Sequence, residues 1–143
     1  MPKTLLKKMD NLKIVNGTPP NYELLKAVGL VKEGNIYCYG STIFNPSDKE
    51  IPSDIKYHEQ QHSIRQGNNP SEWWNRYCND PAFRREEEIM AYAKQYRLIK
   101  NALTDKDAKE FLEEYAINLS SLYNLGITKS QAATAIRKYD VNA

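Results

Sequence analysis

The stretch His58-Glu59-Gln60-Gln61-His62 decides how the rest of this sequence is interpreted. It has the form HExxH, in which two histidines stand four residues apart and a glutamate follows the first. Residues four apart on a helix lie on the same face, so both imidazoles can bind one metal ion. Glu59 then lies beside that ion as a general base. Since the chain has 2 histidines and both are in this motif, we expect a zinc site here.

The alternative is a surface helix whose polar residues carry no chemistry. The polar residues in and around the motif indicate a partly solvated helix: Lys56, Gln60, Gln61, Ser63 and Arg65. That alternative treats both histidines as ordinary surface residues, which is the poorer account of their spacing.

A third metal ligand is expected within the acidic run Glu86–Glu88. A catalytic zinc ion takes three protein ligands and keeps one position open, and no histidine remains to supply the third. The following residues form an apolar helical stripe: Ile89, Tyr92, Tyr96, Ile99 and Leu103. At about 100° per residue, Glu88 lies roughly 60° from the middle of that stripe, Glu86 about 100° and Glu87 about 160°. Glu88 is therefore the predicted ligand, because a carboxylate near a core is costly unless a cation binds it.

Other roles for these acidic residues stay open. Glu88 could instead form an ion pair with Arg84 or Arg85, one turn earlier. Glu86 and Glu87 are interpreted as residues of a solvated face. Asp80 is a second candidate ligand, although Asn79-Asp80-Pro81 is more simply a turn that begins a helix.

Residue patterns predict an α+β fold, with a small antiparallel β-sheet followed by the HExxH helix, a glutamate helix and C-terminal helices. We expect one domain over residues 1–143, sheet-rich in 1–50 and helical in 51–143. The predicted strand segments are Leu12–Val15, Leu30-Val31, Ile36–Tyr39 and Thr42–Phe44. Helices are predicted at Tyr22–Val28, from Ser53 or Asp54 as the cap to Gly67, as a short turn from Ser71, from Ala82 to Leu103, from a Thr104 cap to Leu125, and at Lys129–Tyr139 with a Thr128–Gln131 capping box.

Composition limits the classes of function. A chain of 143 residues with a net charge of +2 is too near neutral to favour nucleic acid or an acidic membrane as a partner. Lys129, Arg137 and Lys138 follow Gly126 in a weak helix-turn-helix pattern, but an ordinary capped helix explains them better. No apolar run is long enough for a membrane span and no secretory signal begins the chain. Cys38 and Cys78 are expected to be reduced thiols of a cytoplasmic protein.

Two motifs carry a resemblance to a known family. HEQQH, followed downstream by Glu88-Ile89-Met90-Ala91, resembles the gluzincin pattern of zinc metallopeptidases, and the ExxA form is similar to minigluzincins. The wider run Tyr39–Ala132 resembles small zinc-peptidase-like proteins encoded by bacteriophages. It includes YGSTIFNPS, HEQQHSIRQG, EWWNRY, DPAFRREEEIMAYAKQYR and LSSLYNLGITKSQA.

The resemblance implies a zincin-like fold, with His58, His62 and Glu88 as ligands of one zinc ion and Glu59 as the catalytic base. It also implies that Tyr39–Phe44 is the strand edge along which a peptide would lie. The setting would be the cytoplasm, including that of a phage-infected bacterial cell.

The expected activity is hydrolysis of a peptide bond in a protein or peptide substrate through zinc-activated water, with Glu59 as general base. No histidine outside the motif can stabilise the oxyanion, and Tyr92 is the candidate donor, one turn after Glu88. Core packing is the competing role for Tyr92. A non-catalytic module, in which zinc stabilises a surface that binds another protein, is the alternative function.

Overall fold

The computed structural model describes residues 12–142, and the fold is α+β. In that part of the chain a three-stranded mixed sheet is followed by a helical majority. The strands are β1 (Lys13–Val15), β2 (Tyr37–Tyr39) and β3 (Thr42–Phe44). The helices are α1 (Tyr22–Ala27), α2 (Ser53–Gln66), α3 (Pro70–Asn79), α4 (Pro81–Ala102), α5 (Asp105–Ser121) and α6 (Lys129–Lys138).

The sheet differs from the expected antiparallel one. Strands β2 and β3 form an antiparallel hairpin across the two-residue turn Gly40-Ser41, where Gly40 has a φ of 62°. Strand β1 pairs with β3 in parallel, so the order is β1-β3-β2. The hairpin was foreseeable because its turn is local, whereas the partner of β1 is distant in sequence and no local residue signals its direction.

The chain divides into two compact units at the junction of Asn79 and Asp80. The first unit contains the sheet and helices α1, α2 and α3. One apolar cluster of this unit is formed by Cys38 and Ile43 of the hairpin together with Ile51. The single domain that we expected for residues 1–143 stays a prediction, and the part of its sheet-rich segment before residue 12 lies outside the described residues.

The second unit consists of helices α4, α5 and α6, which pack on one another. Buried residues from all three helices form its core: Ile89, Tyr92, Tyr96, Ala108, Leu112, Tyr115, Ala116, Leu119, Ala132 and Ile136. The predicted capping box at α6 is confirmed, since the Thr128 hydroxyl accepts from Gln131 N–H and the Gln131 side chain accepts from Thr128 N–H. Thr104 caps α5 by accepting from Asp107 N–H.

Some predicted elements and boundaries were wrong. Leu30-Val31 is not a strand. Pro52 is the N-cap residue of α2 and gives no side-chain hydrogen bond, so neither Ser53 nor Asp54 caps that helix. Helix α3 is a full ten-residue helix rather than a short turn. Helix α5 ends at Ser121 instead of Leu125. Within residues 12–142, no helix is both long and apolar enough to cross a membrane.

Candidate metal centre

All five residues of the HEQQH motif are buried in α2. The expectation that Gln60 and Gln61 mark a solvated face was therefore wrong, with exposed fractions of 6% and 5%. A helix with one buried face would expose at least one of five consecutive residues, so this segment is covered around its whole circumference. Burial of polar side chains is costly unless they are hydrogen-bonded or bind an ion.

The two histidines of α2 meet as their spacing predicts. The Nε2 atoms of His58 and His62 lie 3.2 Å apart, and their rings are nearly perpendicular, with centroids 4.9 Å apart. Two nitrogen ligands at about 2.0–2.1 Å from a tetrahedral zinc ion would lie roughly 3.3 Å apart. The separation of the two imidazole nitrogens thus fits two ligands of one ion.

Glu59 is buried in α2, and this helix packs against strand β2. Burial raises the pKa of the Cys38 thiol on that strand, and the negative charge of the Glu59 carboxylate raises it further. Burial is also the main cause that raises the pKa of Tyr37, to which the same carboxylate contributes a smaller part. Glu59 thus acts electrostatically on two side chains of β2.

A glutamine that sequence reasoning missed fastens α2 to the hairpin. Gln66 lies one turn after His62, is 4% exposed, and accepts from Gly40 N–H at 2.7 Å. Its Nε2 donates to the Cys38 carbonyl at 2.8 Å, to which Trp74 Nε1 also donates at 3.1 Å. The signal in the sequence was the spacing, because positions 58, 62 and 66 share one helix face.

The hairpin does not offer the strand edge that the resemblance implied. Strand β3 is the middle strand and is paired on both sides, so Thr42–Phe44 is not a free edge. Strand β2 is an edge strand, but the Cys38 carbonyl already accepts from Gln66 and Trp74. A peptide therefore cannot pair with β3, and it cannot use that carbonyl of β2 without displacing two side chains.

The adjacent tryptophans of α3 have different roles, and both are buried. Trp73 packs against the ring of His62, with centroids 5.3 Å apart, and stacks on Tyr77 at 4.9 Å. Trp74 anchors the hairpin through Cys38, as described above. One tryptophan therefore anchors the hairpin, and the other packs against a candidate ligand.

The acidic run of α4 is only partly as predicted. Glu88 is 2% exposed, which agrees with its predicted position near the core. Glu86 is exposed as expected, whereas Glu87 is 3% exposed, so its assignment to a solvated face was wrong. Every residue in 87–93 is buried, which covers all directions around the helix. The angles used to rank the three glutamates assumed that the helix has one buried face, and the ranking therefore failed for Glu87.

The alternative ligands have other positions or partners. Asp80 is the N-cap of α4, and its Oδ1 accepts from the N–H groups of Ala82 and Phe83, which confirms the helix-initiating turn. Cys38 and Cys78 are both buried and no disulfide joins them, as expected. Arg84, which was named above as a possible ion-pair partner of Glu88, donates through its guanidinium Nε to the Tyr123 carbonyl at 2.8 Å.

Tyr92 lies in the core of the second unit and is 4% exposed. Its ring packs against Tyr115, with centroids 5.7 Å apart. Its hydroxyl shares a hydrogen bond of 2.7 Å with the hydroxyl of Tyr123. Core packing is thus present at Tyr92, while its part in catalysis stays a prediction.

His58, His62 and Glu88 form a buried group that could hold a metal ion. Each of them offers one ligand atom, and these atoms all lie within 4.8 Å of one another. In the part of the chain that the structure describes, neither Cys78 nor Asp80 joins this group. Two imidazoles and one carboxylate are a donor set that suits zinc with a fourth position open. The residues present therefore fit the ion that the sequence predicts.

Comparison of the chain with protein-family models, with curated proteins and with solved structures finds no match.

Proposed function

We propose that this chain is a zinc-dependent metallopeptidase of the gluzincin type, acting on a protein or peptide substrate. The observation that carries the proposal is the buried group of His58, His62 and Glu88 with ligand atoms within 4.8 Å of one another. The burial of a carboxylate and two imidazoles together has a direct physical reason if a cation binds them. A catalytic zinc site has three protein ligands and a structural one has four, and the described part of the chain offers three.

A bound zinc ion would supply Lewis acidity, which lowers the pKa of water to about 7 and polarises a carbonyl group. Glu59 accepts the proton of the attacking water and transfers it to the nitrogen of the leaving amine. Glu59 is buried in α2 directly after the candidate ligand His58, which is where the HExxH pattern puts the base of this reaction beside the metal.

A zinc-stabilised interaction module without catalysis is the second candidate. One observation favours it: Glu59 is 7% exposed, and a general base must reach both water and substrate. The setting we propose, the cytoplasm of a phage-infected bacterial cell, rests on the resemblance alone.

Metal content and hydrolysis of a fluorescent casein substrate test these candidates together. The purified wild-type chain should hold one zinc ion, and Glu59→Gln should keep that zinc while hydrolysis is abolished. Glu88→Ala should lose the metal. Glu86→Ala removes an exposed carboxylate from the same run and is the matched control that should keep both zinc and activity.

Each outcome separates the candidates. Zinc binding without hydrolysis by the wild-type chain would favour the interaction module. Full hydrolysis by Glu59→Gln would contradict the role of that residue as base. Unchanged zinc content in Glu88→Ala would remove the third ligand from the proposal, and with it the gluzincin assignment.

A further inference from the structure

A groove lies in the second unit, and the residues that line it all belong to that unit. Its volume is about 580 Å³, within the range of roughly 300–1,000 Å³ that is usual for ligand sites. Ser130, Thr134 and Lys138 line it together, because residues four apart lie on the same face of α6. Arg85 of α4 lines it as well, and no aspartate or glutamate of residues 12–142 does. The groove is therefore positively charged.

The two cations of the groove have no partner among the described residues. Neither Arg85 nor Lys138 makes a side-chain hydrogen bond or an ion pair with another residue of that part of the chain. Both residues are exposed. An anion that enters the groove can thus pair with them without breaking an interaction inside the protein.

Other basic residues at α6 already have a task. Lys129 forms an ion pair with the carboxylate of Glu113. At the end of the helix, Arg97 Nη2 donates to the carbonyl groups of Arg137 and Tyr139, at 2.7 and 3.4 Å. Because Arg97 satisfies these carbonyl groups, the charge at position 138 is not required for them.

Backbone groups of the loop before α6 are also available in the groove. Gly126 has no side chain, so it lines the groove with backbone atoms. Its N–H and C=O groups, like those of Leu125 and Ile127, make no hydrogen bond within residues 12–142. The side chains of Leu125 and Ile127 pack against the core of the second unit, which fixes the position of this segment. A second main chain can pair with such unused groups, as in β-strand addition.

We propose that this groove binds an acidic peptide segment in an extended conformation. The main chain of the peptide pairs with residues 125–127, and its carboxylates pair with Arg85 and Lys138. An apolar side chain between the carboxylates contacts the aliphatic residues Leu125, Ile127 and Ala135, which also line the groove. This binding needs no metal ion, so the inference goes beyond the proposed function and does not depend on it.

The lining of the groove favours a peptide over a nucleic acid. Single-stranded nucleic acids stack their bases on aromatic rings, and no aromatic residue in the described part of the chain lines this groove. Duplex DNA is bound through many phosphate contacts, whereas this groove offers two cations on a chain of net charge +2. A peptide main chain supplies both the donors and the acceptors that Gly126 can pair with.

The test measures the fluorescence anisotropy of a short labelled peptide in which aspartates and glutamates flank a central leucine. The full-length chain is titrated as purified and again with a metal chelator, and circular dichroism checks that the fold is kept. The acidic peptide should bind equally in both conditions, and its affinity should fall as added salt screens the charges. A control peptide with asparagine and glutamine in place of the acids should bind about tenfold more weakly or less tightly still.

Variants of the groove locate the binding site. Arg85→Gln and Lys138→Gln should each weaken the acidic peptide about three- to fivefold, as expected for the loss of an exposed charge pair. The two changes together should weaken it about tenfold or more, because separate contributions add. Lys129→Gln is the matched control: it removes the same charge from the same helix, but Lys129 lies outside the groove lining, so it should bind like the wild type.

Reversal of the charges gives a positive result to look for. The double variant Arg85→Glu with Lys138→Glu should lose the acidic peptide and bind a peptide that carries lysines in place of the acids. Both replaced residues are exposed, so the core of the unit is left intact.

Four results would overturn the inference. They are wild-type affinity in the variant that combines Arg85→Gln with Lys138→Gln, equal affinity for the acidic peptide and its amide control, tighter binding of a DNA oligonucleotide than of the acidic peptide, and loss of peptide binding on chelation while the fold is kept. The last result would place the peptide at the metal centre. A chain that binds the acidic peptide but no zinc would lose the proposed function and keep this site.

Discussion

Replacing Gln66 by methionine should destabilise the first unit more than any other single glutamine change in α2. Methionine keeps a similar length and an unbranched chain, so the change removes the amide while it leaves little empty space. Two hydrogen bonds disappear, one from Gly40 N–H to the Gln66 oxygen and one from the Gln66 nitrogen to the Cys38 carbonyl.

The structure sets the size of the effect. Gly40 N–H makes no other hydrogen bond in the described part of the chain, and leaving this partly buried donor without a partner costs up to about 1–3 kcal/mol. The Cys38 carbonyl keeps its hydrogen bond from Trp74 Nε1 at 3.1 Å. Losing its other hydrogen bond, from Gln66, therefore costs only about 1 kcal/mol. The expected total is about 3 kcal/mol, a large part of the roughly 5–15 kcal/mol that stabilises a typical domain.

Urea unfolding followed by circular dichroism, with a metal chelator present throughout, measures this cost without a contribution from bound metal. Gln61→Met is the matched control, because Gln61 is equally buried in the same helix but makes one long bond of 3.4 Å to the Tyr57 carbonyl. We expect the control to lose less than about 1 kcal/mol. Equal losses in both variants would refute the view that Gln66 fastens α2 to the hairpin.

Two further predictions concern pH and metal. Because burial raises the pKa of Cys38 above its value in the unfolded chain, the native state keeps a proton that the unfolded thiol releases above about pH 8.5. Stability should therefore fall as pH rises past that point, by up to about 1.4 kcal/mol per pH unit. Urea titrations between pH 8 and 10 should show a shallower fall in Cys38→Ala, and an unchanged slope would count against the shift. Zinc at 100 times its dissociation constant should stabilise the metal-free chain by about 2.7 kcal/mol; calorimetric melting should show this gain in the wild type and not in His62→Ala.

The sequence predicted the candidate site better than its surroundings. The spacing of His58 and His62 is a property of any helix, so the meeting of their Nε2 atoms needed no tertiary information. Glu88 was chosen over Glu86 by the same geometry, and the burial of the two residues agrees with that choice. The histidine spacing and the burial of Glu88 could be predicted because each depended on one helix alone, while the role of Glu88 as a ligand stays a prediction.

The wrong predictions depended on what packs around a helix or strand. Glu87, Gln60 and Gln61 are polar in sequence but buried, since the segments that carry them are covered on all sides. The parallel pairing of β1 with β3 has no local signal either. Gln66 was overlooked because its spacing places it on the helix face of the histidines but gives no sign of its partners, Gly40 and Cys38.

The composition of α2 does not suit a helix whose only role is to fill the core. Five consecutive polar residues are buried there, and Gln60 Oε1 has no hydrogen-bond partner in the described part of the chain. An unsatisfied buried acceptor costs about 1–3 kcal/mol, and apolar residues in the same places would cost nothing of this kind. A helix that served only to fill the core would gain from Leu or Ile at these positions. If a cation binds His58 and His62, its binding supplies the compensating free energy that such a helix lacks, and for this reason we expect the metal-free chain to be the less stable form.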